Sequence, residues 1–426
     1  MAVTSSDIKW FKPLYSTGDG DSLGNRKAYN EIASAVMNNL FPNVSQAERT
    51  QVNGLVRYRK FFVQNINTGE TEFENVKVWI DFDSSGGDYF RIAHGTYIDT
   101  QLDAKDYYGG ELFDIGAISS GAISVGDEVT GGTNAATGVV EAISENNYVV
   151  LRNISSPIDD TVIFESGEKC TKSGGANFTL ASTATPVGRF IGSGLLATTP
   201  ITATNTSFVV EFGAAEDEHS LKGRILPGDE LVITNLEDMD DAEHNMEFVT
   251  IESISWNGTK ATITITEGTQ YSYALSYSGE TATIYTRICQ VIDVGSLVAV
   301  VDNLVDVSTG GTLNDAQIVA HNKGSITDTI TVTFTSTTAF TVAGSSGINY
   351  GSGSIAVDFK PINANTSSFY FTIPTAAWSG TFIKDDYFTF DIAEAAQGIW
   401  AKEVVPQNTS STSRNSTWFA VCGESA

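Results

Sequence analysis

Cysteine, histidine and basic residues are scarce in this chain. Its 426 residues include 3 Cys, 4 His and 24 Lys+Arg against 51 Asp+Glu, for a net charge of −27. The thiols, Cys170, Cys289 and Cys422, are odd in number, far apart and without metal-ligand spacing, so they read as reduced thiols of a protein made in a cytoplasm. His94, His219, His244 and His321 show no His-x-x-x-His spacing, which argues against a transition-metal site. Too few Lys and Arg argue against coating nucleic acid, because phosphate binding relies on basic residues releasing counterions. No run approaches 18 consecutive apolar residues, which argues against membrane insertion. The start, Met1-Ala2-Val3-Thr4-Ser5-Ser6-Asp7, lacks the basic and apolar segments of a signal peptide.

What is present suits a folded, multi-domain protein. Hydrophobic cores stop growing at roughly 250–300 residues, so two or more domains are expected. Counting the 39 glycines in place of the 15 tyrosines puts the apolar fraction at about 47%, ordinary for a globular chain. The charge is unevenly divided. Residues 1–60 hold eight basic and five acidic residues, a net of +3, whereas the other 366 hold 16 and 46, a net of −30. Arg57, Arg59 and Lys60 are candidate docking contacts for an acidic partner; the ordinary alternative is one solvated cluster at a strand start.

Helix signals are few. Asn30 is placed to cap a short helix carrying Ile32, Val36 and Leu40, stopped by Pro42. Ser45-Gln46-Ala47-Glu48 is a capping-box pattern. Elsewhere the pattern is strand and turn. Phe61-Phe62-Val63 and Val76-Lys77-Val78-Trp79-Ile80 flank the polar turn Asn67-Thr68-Gly69. Asn257-Gly258 between alternating runs predicts a hairpin. Thr329 to Thr335 alternates strictly, which predicts one buried and one wet face. Gly126-Asp127-Glu128, Gly167-Glu168-Lys169 and Gly228-Asp229-Glu230 form an internal echo, each read as a turn with its Gly at positive φ leading into a strand. The expected fold class is all-β: a multi-domain β-sandwich with inserted small β-barrel-like modules and a short helical N-terminal arm. The expected divisions are 1–56 (arm), 57–115 (leading portion of the sandwich), 116–185 (small module), 186–307 (second module) and 308–426 (closing portion of the sandwich, continuous with 57–115).

Several motifs imitate chemistry. Gly20-Asp21-Ser22-Leu23, with Asp241-Ala242-Glu243-His244 downstream, matches the nucleophile and base blocks of a GDSL-type esterase. Its surroundings are polar and turn-rich, without the apolar parallel strand or β-α alternation that fold requires. Glu216-Asp217-Glu218-His219 and Glu237-Asp238-Met239-Asp240-Asp241 with Glu243 offer carboxylates to a hard cation such as calcium, although acidic loops are ordinarily just solvated. Asp81, Asp83 and Asp88 read as a turn. Trp256, Tyr271, Tyr273 and Tyr277 are aromatics able to stack on sugars, though hairpin packing is their commoner use. No catalytic or cofactor set converges, and no enzyme activity is expected.

Asn38-Asn39-Leu40-Phe41-Pro42, Val44 to Thr50, Arg57 to Asn65 and Val76 to Ile80 together resemble the N-terminus of a poorly characterised set of tailed-bacteriophage virion proteins encoded among head, neck and tail genes. Ile399 to Pro406 and Cys422-Gly423-Glu424-Ser425-Ala426 are similar to the end of the same proteins. Val125-Gly126-Asp127-Glu128-Val129-Thr130-Gly131-Gly132 resembles small β-modules of phage structural proteins. The resemblance covers about half the chain and leaves 186–307 unmatched. It implies a non-enzymatic virion component of the tail, neck or baseplate, made in the host bacterial cytoplasm and working as a symmetric homo-oligomer beside neighbouring virion proteins. The alternative is a fibre or capsid decoration that binds a host receptor or surface glycan through loops on a rigid frame.

Overall fold

The computed structural model describes residues 2–426 except 17–22, 34–38, 52–53, 83, 85, 107–109, 145, 147, 156–163, 183–184, 188–189, 193–194, 212–224, 226, 238–240, 242, 258–259, 280–282 and 411–416. The chain is all-β, with several sheets and two short helices among the described residues.

The centre is a sandwich. One sheet runs Gly24–Glu31, Ile8–Tyr15, Leu55–Asn65, Ala396–Val405, Tyr89–His94, antiparallel throughout. In the other, Phe73–Phe82 lies between Arg287–Leu297 and the terminal strand Trp418–Ser425. Phe61, Val63, Ile92, Ile399 and Ala401 from the first meet Val76, Val78, Ile80 and Ile292 from the second in one core. The consecutive residues Phe61-Phe62-Val63 and Val78-Trp79-Ile80 are all buried, so both faces of these strands are covered where the sequence runs apolar. The Asn67 turn forms, with the Asn67 N–H on Asn65 Oδ1 and the Gly69 N–H on Asn67 Oδ1, both 2.9 Å. The strands it joins part into different sheets. Leu55–Asn65 pairs instead with Ala396–Val405, in register from Leu55↔Val405 to Gln64↔Ala396.

The N-terminal segment differs from the expected helical arm. Asn30 lies inside the strand Gly24–Glu31 and caps nothing; Ile32 and Leu40 pack on the sandwich core, and Val36 lies outside the described residues. Gly24–Glu31 pairs with Ile8–Tyr15, and residues 34–38, the middle of the expected helix, lie outside the described residues. The capping box does form. The Ser45 N–H reaches Glu48 Oε2 (2.7 Å) and the Glu48 N–H reaches Ser45 Oγ (3.3 Å), opening the helix Gln46–Arg49. A second helix, Gln101–Asp106, begins where Asp103 accepts from the Thr100 N–H at 2.7 Å.

Three units hang on this frame. The first is a seven-stranded sheet built on Phe113, Val129, Val140, Leu151 and Phe178, whose ends approach each other through the bridges Ile115↔Leu180 and Ser119↔Asn177. In the second, the short strand Leu195–Ala197 pairs both with Ser207–Glu211 and with Arg287–Leu297, so the ladder curls back on itself. Its hairpin of Met246–Asn257 and Lys260–Ile265 pairs out to Asn257↔Lys260, further than a two-residue Asn257-Gly258 turn would permit. The third has a Phe-rich core of its own between Ala299 and Ala395. It contains Asp328–Phe334, whose buried Ile330, Val332 and Phe334 alternate with wetter positions as the pattern requires. The expected 308–426 region therefore divides. Residues 299–395 form this inserted unit, and Ala396–Val405 and Trp418–Ser425 return to the sandwich.

The Gly-acid echo is a repeated backbone device. Gly126, Gly167 and Gly228 have φ of 88°, 86° and 90°. Each donates its N–H at 2.8 Å to a later carbonyl, of Val140, Leu180 and Ile251 respectively. Each of those residues donates back to the carbonyl just after the Gly, on Asp127 (2.8 Å), Glu168 (2.9 Å) and Asp229 (2.9 Å). In the first two copies the acid's side chain also accepts from the N–H three residues earlier, Ser124 (2.7 Å) and Glu165 (3.1 Å).

Candidate functional site

The basic group 57–60 turns inward, which overturns its reading as docking contacts. Leu55–Asn65 is an interior strand, and from Tyr58 onward its side chains are buried against other elements of the same chain. Arg57 Nε donates to Glu403 Oε2 at 2.6 Å, across the register pair Arg57↔Glu403. Burial pushes the Glu403 carboxyl above its ordinary range, against the pull of Arg57. Arg59 is buried and donates to the Tyr58 carbonyl at 2.8 Å. Lys60 is 1% exposed. Charges so enclosed are unavailable to another protein.

Lys60 belongs to a buried polar junction between the sandwich, the N-terminal hairpin and the inserted unit. Its ammonium contacts the Asp99 carboxylate and the carbonyls of Asn25 (3.1 Å), Tyr97 (3.3 Å) and Asp99 (3.2 Å). The other Asp99 oxygen accepts from Trp400 Nε1 (3.0 Å) and the Thr96 N–H (2.9 Å). Close by, Lys27 Nζ lies 3.3 Å from Glu394 Oε2, and both side chains are almost fully enclosed. The Phe11 and Tyr29 rings flank Lys27 at 5.1 and 5.2 Å. Burial raises the Glu394 carboxyl, opposed by Lys27, Lys60 and Arg26. Further bonds fasten the inserted unit down. Gln64 Nε2 donates to the Asn322 carbonyl (2.8 Å), and His321 Nδ1 meets Glu70 Oε1 (2.8 Å). Asn363 Nδ2 donates to the Tyr29 hydroxyl at 3.0 Å. Lys27, Asp99 and Glu394 carry no signal in the sequence, because each is simply one Lys or acid among many.

A second constellation lies at Asp241. His244 Nδ1 sits 2.8 Å from Asp241 Oδ2, and its ring stacks on Tyr277 at 3.7 Å. The Asp241 carboxylate also accepts from the N–H groups of Glu237 and Glu243, both 2.9 Å, which holds its pKa down at about 2 despite some burial. This is the base-and-orienter half of the esterase pattern. Gly20, Asp21 and Ser22 lie outside the described residues, and the strands flanking them, Ile8–Tyr15 and Gly24–Glu31, pair antiparallel. A nucleophile elbow needs a strand-to-helix turn on a parallel sheet, so the surroundings do not suit that chemistry.

The acidic loops fall largely outside the described residues, at 212–224 and 238–240. Among the described residues no group of three or more His, Cys, Asp or Glu is arranged to hold a metal ion. Asp241 itself is occupied by its own loop. Asp81 is a buried partner of Arg287, at 3.1 and 3.2 Å, rather than part of a solvated turn. Of the aromatics, Tyr271 is exposed but Tyr273 is 1% exposed, which removes Tyr273 as a glycan contact. Trp256 is on the strand Met246–Asn257, and its side chain lies outside the described residues. Cys170 and Cys289 are buried free thiols and Cys422 is half-buried. No described helix is long and apolar enough to cross a membrane. No protein-family model, no curated protein and no solved structure matches this chain.

Proposed function

We propose that the chain is a non-enzymatic structural protein of a tailed-bacteriophage virion, a tail, neck or baseplate component that works as a symmetric homo-oligomer. One observation carries the proposal beyond the resemblance of its two ends. Several of its charged side chains, among them Lys27, Arg57, Lys60, Asp99, Glu394 and Glu403, are spent inside, fastening distant segments into one frame, while strand edges face outward. Among the described residues Val300–Val307 pairs on one side only, with Tyr387–Ala393, and exposes Val300, Val305 and Val307. The terminal strand Trp418–Ser425 is likewise an edge, with Trp418 exposed. Edges of this kind pair or pack with neighbouring chains, which is the physical means of symmetric assembly. With Arg57, Arg59 and Lys60 enclosed, these edges take the place of the basic group as the contact surface we propose. A glycan-binding role has less support, because Tyr273 is enclosed.

Sedimentation analysis of the purified chain, with immunolabelling of mature particles, tests the proposal. A discrete oligomer and labelled particles are expected. A monomer at all concentrations together with unlabelled particles would refute it.

A further inference from the structure

We propose that Lys60 and Asp99 condense into an intramolecular isopeptide bond, so that their buried contact is a covalent cross-link. The inference does not depend on the virion reading. It rests on four features of the junction. The nucleophile and the carboxyl touch, Nζ against Oδ1. The pair is enclosed, with the Lys60 side chain inaccessible and that of Asp99 nearly so. Aromatic rings of Phe62 and Trp400 line it, 5.0 and 5.8 Å from Nζ. Two donors, Trp400 Nε1–H and the Thr96 N–H, are aimed at Oδ2, where negative charge grows when an amine adds to the carboxyl carbon.

The step balances without a co-reactant. One proton passes from the Lys60 ammonium to Asp99 Oδ1, leaving a neutral amine and a neutral acid. The Nζ lone pair adds to Cγ and the C=O electron pair moves to Oδ2, held by Trp400 and Thr96. A second proton follows from Nζ to Oδ1, which leaves as water while the pair on Oδ2 re-forms the carbonyl. The remaining amide N–H keeps one of the carbonyls of Asn25, Tyr97 or Asp99 as acceptor. Burial favours the first transfer, since a low-dielectric site penalises both charges. It also lowers the Lys60 amine below its ordinary value, against the fields of Asp99, Asp103 and Glu394.

The cross-link would have a mechanical consequence. Lys60 faces Trp400 in one register and Trp400 faces Ala93 in the next, so a bond from Lys60 to Asp99 spans the strand Ala396–Val405 lying between its two neighbours. The returning C-terminal strand would be locked in place.

Intact mass spectrometry of the denatured full chain decides the matter, followed by proteolytic mapping. The expected result is a mass one water below that of the sequence and a branched peptide joining the segments around residues 60 and 99, with Lys60→Arg returning to full mass. A wild-type chain at full mass, with separate linear peptides for the two segments, overturns the proposal. So does a water loss that persists in Lys60→Arg, which would place the dehydration elsewhere.

Discussion

Replacing Lys27 by Met should expose how much the buried junction depends on compensated charge. Methionine keeps most of the side-chain volume between Phe11 and Tyr29 but leaves the Glu394 carboxyl enclosed without its nearest cation. Two unit charges about 4 Å apart attract by about 4 kcal/mol at an effective dielectric of 20. Breaking a buried pair by removing one member costs about 3–5 kcal/mol. The penalty depends on pH in a definite direction. Burial raises the folded-state pKa of Glu394 above its ordinary 4.5, so folding favours the proton there. Its contribution to stability is complete below that ordinary value and drains away as pH rises through the folded value. Lys27→Met raises the folded value further, and the variant should lose most at pH 8 and least at pH 5. Urea unfolding at both pH values, with Lys27→Met, Glu394→Leu and the double variant as a cycle, provides the assay. The double variant should recover most of the loss, because two apolar groups leave no charge stranded. A loss under about 1 kcal/mol at both pH values, or a double variant no better than the single, refutes the account.

Three further outcomes follow from local geometry. Gly126→Ala, Gly167→Ala and Gly228→Ala should each cost about 1–2 kcal/mol in denaturant unfolding, from backbone strain alone, because an added Cβ meets open space at all three. Asp328 accepts from Ser345 Oγ (2.7 Å), the Ser346 N–H (2.8 Å), Ser346 Oγ (2.6 Å) and the Tyr350 hydroxyl (2.9 Å), and these donors outweigh burial to hold its pKa below the ordinary value. Its stabilisation is present above pH about 4 and lost as pH falls through the depressed value, and Asp328→Ala, stranding the Tyr350 hydroxyl, should cost about 3 kcal/mol in thermal unfolding. Asp241, held at about 2, contributes in the same sense, so loosening of the Glu237 and Glu243 N–H bonds to it between about pH 4 and 2, followed by proton exchange at the Glu243 amide, should be absent in Asp241→Asn.

The features that could be read ahead of the structure are those whose physics closes within a few residues. A capping box needs only Ser45 and Glu48, and a turn that demands positive φ announces itself by Gly126, Gly167 and Gly228 followed by a strand. Alternation in Asp328–Phe334 needs only one apolar face. The junction is different in kind. Arg57 meets Glu403, Lys60 meets Asp99 and Lys27 meets Glu394, partners separated by 346, 39 and 367 positions. Nothing local distinguishes a lysine destined for such a pair from one bound for solvent. Three cations within four residues therefore suggest a docking patch, although the burial of Arg59 and Lys60 and the pairing of Arg57 with Glu403 leave such a patch no outward face. The same reasoning applies to the N-terminal hairpin. Nothing local to Gly24–Glu31 announces a strand, yet its pairing carries Lys27 into contact with Glu394 and adds Pro13↔Lys27 and Tyr15↔Gly24 to the ladder. A charge buried at that cost requires the hairpin, the sandwich and the inserted unit to be in place together. The junction thus makes the three interdependent, and loss of any one strands a charge in the other two.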